Sequence, residues 1–106
     1  MSLKWPNKDP DEILDYSIDW SRFIGSATLS TAVWSVDNAD GVKTTLVASG
    51  PIVHGIQLVS STLTNTVVTA RVSLGTDNVR YKFYCTVTTS DGLTFERTVL
   101  LRVREK

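Results

Sequence analysis

The sequence is short of the residues on which most chemistry depends. Its 106 residues include one cysteine, Cys85, and one histidine, His54. A single thiol forms no internal disulfide, so the fold is expected to stand without oxidation. A single imidazole makes any Ser–His–Asp or Cys–His arrangement depend on His54. That residue sits beside Gly55, just after Gly50-Pro51, on an expected loop or strand end. Nucleophile, base and orienting group must converge in a pocket, and one histidine among many serines and aspartates carries no such signal. Net charge is missing as well: 11 basic residues balance 11 acidic ones. This removes the electrostatic footprint of a general nucleic-acid binder. No apolar run exceeds three residues, as in Ala32-Val33-Trp34, so no transmembrane helix is expected and no membrane partner is inferred. The first ten residues lack the apolar core of a signal peptide, so synthesis in the cytoplasm without a cleaved signal is expected.

Cofactor and metal signals are equally sparse. There is no glycine-rich phosphate loop and no Cys/His metal spacing. Asp37-Asn38-Ala39-Asp40-Gly41 has the composition of a calcium loop. An EF-hand, however, needs Asp five residues before its Gly and Glu six after; Val36 and Val47 stand there. Asp9, Asp11, Glu12, Asp15 and Asp19 gather near the start. Asp15 and Asp19, on one strand face, lie about 13 Å apart at ~3.3 Å per residue, too far to share an ion. No cofactor and no metal site follow, and the chain is expected not to be an enzyme.

What the sequence has in abundance is β-branched residues: 13 Val, 14 Thr and 5 Ile, against 5 Ala. Such side chains are stiff at χ1 and suit a pleated surface. Apolar residues make up 42% and charged residues 21%, close enough to globular averages to exclude wholesale disorder. At this length the chain is one domain with its own core.

Residues 1–12 hold two prolines and no period, and read as an extended arm. In residues 13–20, Leu14, Tyr16, Ile18 and Trp20 alternate with polar residues, which means a strand with one buried face. Residues 27–36 carry Leu29, Val33, Trp34 and Val36 out of a single phase, and a β-bulge reconciles them. Asp37–Gly41 is a turn cluster. Short strands are expected at 43–48 and 54–60, broken by Gly50-Pro51, then clear alternation at 66–74 and 79–89. Phe83, Cys85 and Val87 face inward there, with Tyr84 as the outward aromatic. Asp91-Gly92 marks a hairpin into residues 93–104, where Val99, Leu101 and Val103 face in. The expected fold is all-β: an antiparallel sandwich of six to eight strands over residues 13–106, preceded by the arm.

Three stretches carry a resemblance: Lys4 to Trp20, Leu29 to Trp34, and Tyr81 to Val103 with its Thr-Thr-Ser-Asp-Gly turn. Together they resemble small tailed-phage and prophage proteins of the fiber–tail adaptor family, within the phage immunoglobulin-like domains. The resemblance implies an immunoglobulin-like sandwich and a non-enzymatic virion component. It would be made in the bacterial cytoplasm and would touch tail or fiber subunits. The chain departs from antibody-type domains, which pair two cysteines across the sheets. Cys85 has no partner, and Phe83 occupies the place of the tyrosine that precedes the second cysteine; Trp34 remains available as the core tryptophan. The alternative is a module binding carbohydrate or a host surface, which would need exposed aromatics.

Candidate partner contacts are Trp5 and Pro6 on the arm and Arg102 and Arg104 on the last strand. Tryptophan is a frequent interface anchor. It is also highly buried on average, so folding back on its own sandwich is an equal expectation for Trp5. With one inward thiol, reductant is expected to leave the melting temperature unchanged. Cys85→Ser is expected to cost only ~1–3 kcal/mol in thermal or denaturant melts; a large loss with reductant would reveal an intermolecular disulfide.

Overall fold

The computed structural model describes residues 3–37 and 43–105. The Asp37–Gly41 turn, beyond Asp37 itself, falls outside them. Eight strands form: β1 (Leu3–Lys4), β2 (Leu14–Asp19), β3 (Leu29–Asp37), β4 (Thr44–Leu46), β5 (Ile56–Thr64), β6 (Val67–Leu74), β7 (Val79–Thr89) and β8 (Thr94–Val103). One helical turn, α1 (Ser21–Ile24), follows β2. The strands make two sheets, β1-β8-β7-β3-β4 and β2-β6-β5. Pairing is antiparallel throughout except for β1, which runs parallel to β8. This is an immunoglobulin-like sandwich, its arm forming the edge strand beside β8.

The alternation read in the sequence sets the core. Tyr16, Ile18 and Trp20 from β2 and its end meet Trp34 and Val36 from β3. Phe83, Cys85 and Val87 from β7 and Val99, Leu101 and Val103 from β8 complete that layer, and all are buried. The expected bulge lies between Leu29 and Thr31, and it lets both Leu29 and Trp34 point inward despite their odd spacing. A second bulge, between Leu58 and Ser60, changes the phase of β5. Ile56 and Leu58 face in before it. After it, Leu63 packs on the core and Ser61 accepts a 3.0 Å hydrogen bond from the Trp34 indole.

The Asp91-Gly92 hairpin forms, with a different turn from the two-residue type its dipeptide suggests. Gly92 has φ 87°, while Asp91 is not among the positive-φ residues. The Thr89 N–H donates to Leu93 O and the Gly92 N–H to Thr89 O, so three residues close the loop. The Thr89 hydroxyl bonds the Asp91 carboxylate and accepts from Leu93 N–H. This favours the longer turn, in which only the glycine needs a left-handed backbone.

Residues 3–8 lie along the edge of β8. Trp5 N–H donates to Leu100 O at 2.9 Å, Lys8 N–H to Arg102 O at 3.0 Å, and Arg104 N–H to Lys8 O at 2.8 Å. A proline-containing segment is tolerated at such an edge, where not every N–H must pair. The Trp5 ring, 6% exposed, enters between the sheets. It stacks on Tyr16 (4.6 Å, 17°) and meets Phe83 and Trp34 at 5.4 and 5.6 Å. Tyr16 in turn donates its hydroxyl to Pro6 O. Lys8 is fully buried, and its ammonium donates to Asp9 O and Leu74 O at 2.9 and 2.5 Å, carbonyls that offset the loss of water. Of the two readings of Trp5, this structure shows the fold-back.

Tyr81 corrects the expected immunoglobulin register. Its buried hydroxyl donates to His54 O at 2.7 Å and accepts from Thr76 N–H at 3.0 Å. That is the corner tyrosine of such sandwiches, near the start of the strand and bonded to backbone upstream. Phe83 therefore stands two residues later, where the second disulfide cysteine would be, and Cys85 falls outside the disulfide position altogether. The corner is tight. Gly75 donates to Gly55 O, and a Cβ on Gly75 (φ 109°) would meet Val103 at 2.7 Å.

Trp5→Ala is expected to lower stability by ~3–5 kcal/mol, the range for emptying a large aromatic from a core; a melt within experimental error of wild type would return the ring to the surface. The Arg71 guanidinium holds the Asp15 carboxyl below its ordinary 3.8, mainly by hydrogen bonding. The Ser21 backbone does the same for Asp19, and Lys43 for Glu96. A depressed carboxylate stabilises the fold above its unfolded-state pKa and loses that contribution as pH falls through the folded-state value. The melting temperature is thus expected to drop as pH falls below about 4, and Arg71→Gln to flatten part of that drop.

Candidate protein-docking surface

The outward residues of β7 and β8 are set by the same alternation that fills the core. Cross-strand register places Arg80 opposite Arg102, Lys82 opposite Leu100, Tyr84 opposite Thr98 and Thr86 opposite Glu96. Parallel pairing of β1 sets Lys4 beside Leu100. The outer face of the larger sheet therefore has two ends of different character.

At one end the charges are satisfied. Lys43 pairs with Glu96 at 3.2 Å and sits 4.3 Å over the Tyr84 ring, and Glu96 also accepts from Thr86. Val33, 47% exposed, lies opposite Thr86 on this face. At the other end Lys4, Arg80, Lys82 and Arg102 cluster around Leu100. The ion pairs Lys43–Glu96 and Arg71–Asp15 use none of these four cations, and the acidic Asp37 of β3 lies opposite Lys82 in the register. A shallow pocket of about 260 Å³ opens there, lined by Lys4, Arg80, Leu100, Leu101 and Arg102. The Nε of Arg102 is enclosed and makes no hydrogen bond.

The four residues named from sequence separate accordingly. Trp5 is spent on its own core. Pro6 is exposed, its carbonyl engaged by Tyr16. Arg102 is half-buried in the pocket wall, and Arg104 is exposed just beyond β8. Lys4 and Arg80, which complete the pocket, were not singled out as contacts. Arg80 is a basic residue of the strand read at 79–89, but its position opposite Arg102 depends on strand register. Two other arginines go elsewhere: Arg71 to Asp15, and Arg97 over the Phe23 ring at 4.3 Å.

Among the described residues, those considered for chemistry are not assembled into a site. Cys85 is fully buried, and burial pushes its thiol up to about 12, with the Trp20 indole acting weakly the other way. The Trp20 N–H itself is buried without a hydrogen bond of ordinary geometry. A thiol so placed is no nucleophile. His54 occupies a turn at φ 52° and gives its carbonyl to Tyr81. Among the described residues no group of three His, Cys, Asp or Glu side chains could hold a metal. The outward aromatics Tyr84 and Phe23 each lie beneath a cation, not bare as a sugar-stacking platform would be.

No curated protein matches this chain. The model of one protein family, podophage GP4 fiber-tail adaptor protein gp77, matches residues 8–102, a span that runs from the buried Lys8 through seven strands to Arg102. With most of its length matched, the chain belongs to the podophage GP4 fiber-tail adaptor protein gp77 family, structural proteins of phage.

Proposed function

We propose that the protein is a virion component that joins tail and fiber subunits through protein–protein contacts, without catalysis, using the outer face of the β1-β8-β7-β3-β4 sheet. The family match carries the adaptor role. The choice of face rests on the facing cations Arg80 and Arg102, joined by Lys4, and on exposed Val33. A sheet face paired on both sides into a sandwich is rigid, so docking there costs little ordering entropy. The smaller sheet is less suited: the outer face of β2 and β6 is closed by the Asp15–Arg71 pair and the Ser17–Thr69 hydroxyl contact.

The buried, unreactive Cys85 makes a clean test possible. Val33→Cys on this face and Thr62→Cys on β5 each introduce one exposed thiol for a maleimide-linked polyethylene glycol. Labelled proteins are then added to particles assembled without the wild-type chain, and fiber attachment is scored. The Val33 adduct is expected to fail and the Thr62 adduct to restore fibers. The reverse pattern moves the docking surface to the smaller sheet, and restoration by both removes the sheet faces from the interface.

A further inference from the structure

We infer that the pocket between Lys4, Arg80 and Arg102 receives a side-chain carboxylate from an acidic segment of the partner protein. The inference rests on the docking face just proposed and goes further by naming what the partner presents there.

Register alone makes the pocket electrostatically unsatisfied. Arg80 and Arg102 are directly opposite on neighbouring strands, a spacing at which like charges repel. Lys4 adds a third cation from the parallel edge strand, one residue across from Leu100. At its other end the face interleaves opposite charges, Lys43 with Glu96, and beside the pocket the register sets Asp37 opposite Lys82, whereas Arg80 faces Arg102. Enclosure makes the arrangement more telling. The Nε of Arg102 is shut away from solvent with no acceptor, which leaves this half-buried guanidinium short of hydrogen-bond partners. A carboxylate seated between the two guanidinium groups would supply acceptors to both and relieve the repulsion. Guanidinium forks match planar carboxylates with two parallel hydrogen bonds. Leu100 and Leu101 give the pocket an apolar floor, against which the methylenes of a glutamate can pack. The volume of about 260 Å³ has room for such a side chain.

A polyanionic nucleic acid would need a continuous basic track. Cations on this face stop at Lys82, beyond which Glu96 neutralises Lys43. The acidic peptide is therefore the occupant that fits.

The test is binding of a fluorescent hexaglutamate peptide to the intact protein at low salt, alongside hexaserine and a hexathymidylate of similar length. Hexaglutamate is expected to bind with a salt-sensitive affinity, and hexaserine not at all. Arg102→Gln is expected to weaken binding at least tenfold. Arg102→Lys should weaken it by a smaller factor, because the charge stays but the fork goes. Arg104→Gln, outside the pocket, should change it less than threefold. Arg80→Gln, at an exposed position, serves where Arg102→Gln lowers the melting temperature. Equal loss from Arg104→Gln and the pocket variants would mean diffuse attraction and overturn the pocket. Tighter binding of hexathymidylate than of hexaglutamate would overturn the acidic peptide in favour of phosphate. Absence of hexaglutamate binding, in a protein whose Val33 adduct still blocks fiber attachment, would remove the carboxylate pocket and leave the docking face standing.

Discussion

Two β-sheets with no disulfide between them depend on the packing at their interface, and here that is a stack of aromatic rings. Trp34 of β3 and Phe83 of β7 occupy the region where antibody-type domains place their tryptophan and disulfide. Trp5 lies against both and stacks on Tyr16 of the opposite sheet. The interaction is non-directional in its apolar part but fixed by hydrogen bonds at its rim. Trp34 donates to Ser61 and Tyr16 to Pro6, and the Trp5 indole N–H makes a long contact with Ser17 O at 3.4 Å. Each of these crosses from one chain segment to a distant one, so the stack also aligns the sheets. Because Trp5 comes from the arm, the arm must pair with β8, and that pairing in turn brings Lys4 beside Leu100. The candidate surface outside the sheet is thus a product of the aromatic packing inside it.

The second constraint sits at the corner where the β4–β5 and β6–β7 connections meet. Tyr81 clasps both through one hydroxyl, and Gly55 and Gly75 let the loops come into hydrogen-bonding contact. The Lys8 ammonium reaches the same corner through Leu74 O. Arm, corner and last strand therefore form one bonded network at the end of the sandwich that carries Arg80 and Arg102. A docking surface built there is backed by groups with little freedom to move, which is the condition under which paired guanidinium groups keep their spacing.

Strands with one buried face were legible in the sequence, because burial on one side imposes a period of two. β2, β6, β7 and β8 all show it, and even the bulge in β3 is betrayed by Leu29 and Trp34 being out of phase. What escaped had no period to display. β1 is two residues long and is defined by its partner, not by its own pattern. The hairpin between β5 and β6 turns on Asn65 at φ 51°, and its Thr-Asn-Thr sequence is a weak local signal. Its carbonyls accept from Trp20 and Leu29, contacts fixed only by the tertiary fold. Tyr81 was missed as the corner residue because the lone cysteine suggested the wrong frame. The same limit applies to the site. Arg102 stood out as a basic residue on a strand, but its pairing with Arg80 and Lys4 exists only once the register of three strands is known.

The parallel course of β1 and β8 has a mechanical meaning. Residue 3 at the start of β1 and residue 103 at the end of β8 lie at opposite ends of the paired segment. Tension applied between them would slide the strands past one another. The hydrogen bonds from Trp5 to Leu100, Lys8 to Arg102 and Arg104 to Lys8 would then share the load in shear, with the Trp5 ring as a peg between the sheets, instead of opening one by one as at the free end of a hairpin.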